Sequence, residues 1–202
     1  QTIATLAANT ATVGIGTWSV LTGTATISTP TLSTTGITGL IAGTNVTLRW
    51  TISNGFCANT TDDITINNAL PATVSDAGLD QDICNVTVAT LAGNTATNGT
   101  GLWTVVAGTA TISTPTLSTT GITGLTIGTS VTLRWTITNG GCGSNSDEVT
   151  INIADPPTTA AAGSDQNLCN VTTATLTGNA PTTGTGLWTV LSCTATITTP
   201  TL

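Results

Sequence analysis

Along residues 129–138 apolar and polar side chains alternate. Val131, Leu133, Trp135 and Ile137 fall on one face, and Thr132, Arg134, Thr136 and Thr138 on the other. A period of two predicts a half-buried β-strand. Asn139-Gly140-Gly141 then supplies turn residues, and Val149, Ile151 and Ile153 form the inward face of the next strand. Upstream, Thr87–Gly93, Gly101–Ala107 and Thr109–Ser113 read as shorter strands. Turn signals at Asn98-Gly99, Ala107-Gly108, Pro115, Gly121, Gly124 and Gly128 separate them. Thr and Val stiffen extended backbone through β-branching, while Met and Lys are absent. The expected fold class is all-β.

The same pattern recurs at a step of 85 residues, which relates Trp18, Trp103 and Trp188, and likewise Leu6, Leu91 and Leu176. It also relates Trp50 to Trp135, Cys57 to Cys142, and Cys84 to Cys169. TATISTPTLSTTGITGL begins at residue 24 and again at 109, and TLRWTI begins at 47 and again at 132. A unit of this length suits one small β-sandwich and is too long for one turn of a solenoid. Pro, Ala and small polar residues cluster at Asn68–Asp76 and Asp155–Ser164, which read as linkers. The expected organisation is a sandwich lacking its first strand over 1–71, a complete one over 72–156, and a partial one over 157–202. The Trp103-type strand then occurs three times and the Trp135-type strand twice, as in an excerpt of a longer tandem array.

Composition narrows the chemistry. The 202 residues carry nine Asp+Glu against two cations, Arg49 and Arg134, for a net charge of −7, and only 5% are charged. Nucleic acid and anionic membranes are bound through basic patches, so neither is an expected partner. There is no His, Lys or Tyr, which removes the usual general bases and the usual zinc ligand. No apolar run reaches the ~18 residues of a membrane span. The chain is not expected to be an enzyme, and no cofactor is expected.

Within residues 77–153 the unit reads AGLDQDIC, VATLAG, GTGLWTVV, TGITGL, TSVTLRWTITNGGC and SDEVTINI. This wording resembles the PKD-like and immunoglobulin-like tandem repeats of very long secreted or cell-surface proteins of Bacteroidetes. The resemblance implies a β-sandwich module, export by a dedicated secretion route, and a role in adhesion, surface layers or extracellular fibres. The WDFGDG-like core of ordinary PKD domains is absent, so a role tied to that motif does not carry over.

Each candidate residue has a competing reading. Trp18, Trp50, Trp103, Trp135 and Trp188 lie on the apolar side of their alternations and read as core, with a carbohydrate-stacking platform as the alternative. Cysteine usage suggests an oxidising compartment. Spacing allows a Cys84–Cys142 disulfide within the unit, or Cys57–Cys84 and Cys142–Cys169 links between units. Cys193 stands where Gly23 and Gly108 stand in the other copies, and has no partner in the repeat. Asp62-Asp63 and Asp147-Glu148 are weak calcium candidates; the plainer reading pairs Arg49 with Asp63 and Arg134 with Glu148. Thr-rich strands with little charge favour association with other copies. The expected function is a self-associating subunit of an extracellular filament or cell-surface fibre, with an adhesin that recognises carbohydrate or surfaces as the alternative.

Overall fold

The computed structural model describes residues 3–201 and is built from strands. In chain order these are β1 (Ile3–Ala7), β2 (Ile15–Thr22), β3 (Thr26–Ile27), β4 (Thr34–Thr38), β5 (Thr44–Ser53), β6 (Thr60–Asn68) and β7 (Gln81–Cys84). They continue as β8 (Ala89–Ala92), β9 (Thr100–Ala107), β10 (Thr111–Ile112), β11 (Thr119–Thr123), β12 (Thr129–Thr138) and β13 (Ser144–Ala154). One turn of 3-10 helix, Gly140–Cys142, lies where Asn139-Gly140-Gly141 reads as a turn. Contacts group the chain into two units. One holds the described residues through Asp76 with Thr95–Leu102 and Thr136–Asp147; the other holds Ala77–Asn94, Trp103–Trp135 and the described residues from Glu148 onward.

In the first unit, two antiparallel sheets, β1-β4-β3 and β2-β5-β6, face each other. The period of two decides which side chains meet between them. Leu6 comes from β1, Ile37 from β4, Trp18 from β2, and Val46, Leu48 and Trp50 from β5; with Leu40 they form the buried cluster. Trp18 and Trp50 stand opposite each other in the ladder, with ring centroids 5.2 Å apart.

This unit also contains the segment after β6, and that segment is not a loose tether. Ala69 O accepts from Cys142 Sγ (3.2 Å), and Leu70 O from Asn139 Nδ2 (2.7 Å). Thr73 N donates to Asn98 O (3.0 Å), while Thr73 Oγ1 accepts from Asn98 N (2.8 Å) and Thr97 N (3.0 Å). Ser75 Oγ donates to Asn145 O (2.9 Å) and accepts from Ile137 N (3.2 Å). Composition marked these residues as linker because they are small and polar. Here small polar side chains complete backbone hydrogen bonds instead of facing solvent.

The second set of strands forms sheets β10-β11-β8 and β7-β13-β12-β9. β8 and β10 both pair antiparallel with β11, while β7 runs parallel to β13. These positions are those of the B, E and D strands and the C, F and G strands of an immunoglobulin-like sandwich. β2 to β5 and β9 to β12 have the same lengths in order: eight, two, five and ten residues.

One sequence reading needs correction. Gly121 is not a turn; it lies inside β11 opposite Thr90. The nearest atom to a Cβ there would be Ser113 Oγ at 3.5 Å, an ordinary contact, so neither space nor backbone demands glycine at this point. Residues 155–201 form no strand, and a single bridge joins Leu187 to Thr201. Trp188 is half-buried, whereas Trp103 is 1% exposed. Trp103 packs on Trp135 at 5.1 Å, and the 202 residues contain no third residue of the Trp135 type for Trp188 to meet.

Candidate functional site

The two arginines lie on the outer faces of their strands, alternating with the buried Leu48, Trp50, Leu133 and Trp135. Arg49 on β5 and Asp63 on β6 are direct ladder partners, and the guanidinium grips the carboxylate with Nε–Oδ1 2.7 Å and Nη2–Oδ2 2.9 Å. Arg134 also meets Glu148, but there Nε (2.8 Å) and Nη2 both donate to the one oxygen Oε1. Two of the four weak calcium candidates thus direct their oxygens to arginine. Among the described residues, no three His, Cys, Asp or Glu side chains gather as a metal site would require.

The hydrogen bond from Arg49, aided by its charge, holds the Asp63 carboxyl below the ordinary carboxylate range. A depressed folded pKa stabilises the fold above the unfolded value of about 3.9, and that stabilisation disappears as pH falls through the folded value. The pair lies at the surface in contact with solvent, so its contribution is small. Thermal midpoints of wild type and Asp63→Asn should differ by a constant amount from pH 7 to about 5 and converge below about 4. A difference that grows on acidification would contradict this assignment.

All five cysteines are free and exposed. The Cys84–Cys142 bridge is not formed, and strand geometry explains why. Cys84 is the ladder partner of Ala154, at the end of β13, and its Sγ lies 3.8 Å from Asp155 O. Cys142 precedes Ser144, where β13 starts, and its Sγ lies against Ala69 O. An eleven-residue strand therefore runs between them. At ~3.3 Å per residue that separation is several times the ~7 Å limit on Cα atoms joined by a disulfide. The alternative links, Cys57–Cys84 and Cys142–Cys169, are also not formed. Sequence spacing could not show this, because it carries no information on which end of a strand a residue occupies. Cys193 keeps the left-handed backbone of its glycine counterparts, with φ 64° against 81° at Gly23 and 79° at Gly108.

Trp18, Trp50, Trp103 and Trp135 are each 5% exposed or less, so their ring faces offer no platform for a sugar. The two tryptophan pairs differ in one instructive respect. Trp135 Nε1 donates to Asn94 O and Oδ1 at 3.1 and 3.2 Å, whereas Trp50 Nε1 is buried without a partner. The neighbouring sequence is TLAGNTA in one copy and TLAANTA in the other, with Ala8 in the place of Gly93. A Cβ at Gly93 would lie 3.0 Å from Trp103 Cζ2 and 3.2 Å from Trp135 Cγ and Cδ1, so the indoles would have to yield. Ala8 carries such a methyl and packs against the buried cluster that holds Trp18 and Trp50, and in that copy the rings are more tilted, at 47° against 37°.

Next to Trp50 lies an open cavity of about 290 Å³, lined also by Thr10, Ile15, Gly16, Leu32 and Ser33. An unmade buried hydrogen bond costs roughly 1–3 kcal/mol, and glycine costs up to about 1 kcal/mol relative to alanine. Ala8→Gly should therefore raise stability by about 1 kcal/mol and Gly93→Ala lower it by a similar amount. Urea unfolding followed by tryptophan fluorescence reads both, and equal midpoints for Gly93→Ala and wild type would refute the account.

Sequence reading missed the hydrogen bonds that fasten 69–76, although a signal existed. Thr73 recurs as Thr158, whose N donates to Thr183 O at 3.0 Å just as Thr73 N donates to Asn98 O. It also missed β7, a four-residue strand too short for alternation to reveal. That strand adds a parallel edge to the sheet of the second sandwich, beside β13.

No family model and no curated protein matches the chain. Solved structures do. The PKD domain from the KIAA 1837 protein aligns at 19% identity and a TM-score of 0.36, covering 46% of this chain and 92% of that one. The tandem Ig repeats of Dlar align at 10% identity and a TM-score of 0.34, covering 70% and 82%. Mouse Cadherin-23 EC22-24 aligns at 12% identity and a TM-score of 0.33, covering 73% and 56%. No helix among the described residues is long and apolar enough to cross a membrane.

Proposed function

We propose that the chain is a structural subunit of an extracellular filament or cell-surface fibre, made of tandem immunoglobulin-like sandwiches that associate with copies of themselves. The observation that supports it is the treatment of the segment after β6. Residues 69–75 are hydrogen-bonded at Ala69, Leu70, Thr73 and Ser75, so the connection has fixed partners where a flexible spacer would have none. Burying only Leu, Ile, Val, Trp and Ala, with a few small hydroxyl residues, leaves each sandwich a plain structural core. A surface with 5% charged residues and no Lys leaves sheet edges without their usual protection. The domain division 1–71, 72–156 and 157–202, and placement outside the cell, belong to the same proposal.

Electron microscopy and sedimentation of the purified chain over rising concentration test it. Fibres or growing assemblies are expected; a monomer at every concentration would overturn it. The alternative, an adhesin that takes carbohydrate, draws on the cavity beside Trp50, where Thr10 and Ser33 bring hydroxyls. Glycan binding by a chain that stays monomeric would favour that reading.

A further inference from the structure

We infer that Asn139 is a site of spontaneous deamidation, gated by the segment after β6, and that the reaction makes release of that segment permanent. The inference goes beyond the reading above and holds whether or not copies of the chain associate.

Asn139-Gly140-Gly141 lies between β12 and β13. The nitrogen of a glycine is the least hindered nucleophile that can follow an asparagine, because no Cβ stands beside it. An added Cβ at Gly140 or Gly141 would meet nothing within 4 Å, so a ring has room to form. The docked turn nevertheless holds the reactants apart. Asn139 has ψ 79°, which sets Gly140 N almost anti to Asn139 Cβ about the Cα–C bond. Ring closure requires that planar peptide to turn over as a whole. Three hydrogen bonds oppose the rotation. Asn139 N donates to Gly143 O at 3.0 Å, Cys142 N to Asn139 O at 2.9 Å, and Asn139 Nδ2 to Leu70 O at 2.7 Å. The last of these ties the gate to the segment after β6, which Thr73 and Ser75 fasten further along.

Once that segment lifts, Gly140 N attacks Asn139 Cγ. The N–Cγ bond forms, the Cγ–Nδ2 bond breaks, and ammonia leaves with the amide proton of Gly140. Water then opens the succinimide. Addition at Cγ gives aspartate; addition at the main-chain carbonyl gives isoaspartate, with the backbone routed through Cβ. No oxidant or reductant takes part. Either product lacks the amide donor that Leu70 O accepts from, and an ionised carboxylate can only accept. Isoaspartate also lengthens the main chain inside the turn that Asn139 and Gly143 close. The segment has lost its partner and cannot redock as before.

Asn98-Gly99 is the same dipeptide in the opposite setting. Asn98 N and Asn98 O are both bonded to Thr73, and a Cβ at Gly99 would lie 2.5 Å from Thr138 O. That peptide has no room to turn over, so Asn98 is protected.

The full chain, incubated in mildly alkaline heavy-oxygen water and mapped by mass spectrometry, tests the gate. Asn139 should convert to aspartate and isoaspartate, and Asn98 should react far more slowly. Ser75→Ala and Thr73→Val each remove hydrogen bonds that hold the segment, and each should speed Asn139 by roughly five- to tenfold. Asn54-Gly55, in the turn after β5, is the internal reference, and its rate should not change. Ser75 is buried, so Thr73→Val, at a half-buried position, guards against a variant that only unfolds and speeds Asn54 and Asn98 as well. In Asn139→Asp, hydrogen exchange at Thr73 N and Ser75 N should rise by roughly five- to tenfold. Equal Asn139 rates in wild type and both variants would overturn the gate, as would an Asn139 that reacts in none of them. Unchanged exchange in Asn139→Asp would overturn the permanence of release.

Discussion

Trp135→Ala should remove about 4 kcal/mol of stability from the second sandwich, and Trp50→Ala about 1 kcal/mol less from the first. Trp135 is 1% exposed and packs on Trp103 at 5.1 Å, so truncation leaves a cavity between two sheets that cannot close on it. It also strips Asn94 of the indole donor that both its main-chain and side-chain oxygens accept from. Trp50 loses the same volume, but its N–H has no partner, so no hydrogen bond is lost with it. Small domains have only about 5–15 kcal/mol to lose. Urea unfolding reported by the remaining tryptophans measures both variants. Equal losses would show that the unpartnered N–H of Trp50 costs the first sandwich nothing.

Gly108→Ala is the second large effect, expected at about 3 kcal/mol or more. Gly108 has φ +79°, and an added Cβ would meet Ser130 O at 2.6 Å and Val131 Cα at 3.0 Å. Left-handed backbone alone costs an L-residue about 1–2 kcal/mol, and a collision with main-chain atoms adds to it because neither side can rotate away. Gly55→Ala separates the two causes. Gly55 has φ +58° but nothing within 4 Å of the added Cβ, so it should cost only about 1 kcal/mol. Thermal or urea unfolding of the two variants compares them directly; similar losses would mean that the collision is relieved by small shifts. The third copy illustrates the point, since Cys193 occupies the same left-handed backbone in a segment that forms no strand.

Much of this molecule was legible before any coordinates. Alternation located β12 and β13, and the repeat carried β5 with them, because a half-buried strand must place every second side chain in the core. Opposite charges at Arg49 and Asp63, and at Arg134 and Glu148, were readable as pairs because adjacent antiparallel strands bring such positions together. The turn signal at Ala107-Gly108 was readable too, and the backbone of Gly108 is left-handed.

What alternation could not convey is direction and edge. Only the tertiary structure decided that Cys84 and Cys142 lie at opposite ends of β13, since pairing depends on distance in space and the sequence reports only distance along the chain. Only it revealed that Thr73 and Ser75 fasten the supposed linker, because small polar residues look the same whether they face water or complete a backbone hydrogen bond. It alone showed that β7 runs parallel beside β13, for pairing between strands is a matter of space and not of order along the chain. Local pattern thus determined the strands and their inward faces, which follow from each residue's own chemistry. The arrangement of ends and edges came from long-range packing, where the identity of a neighbour matters more than the residue itself.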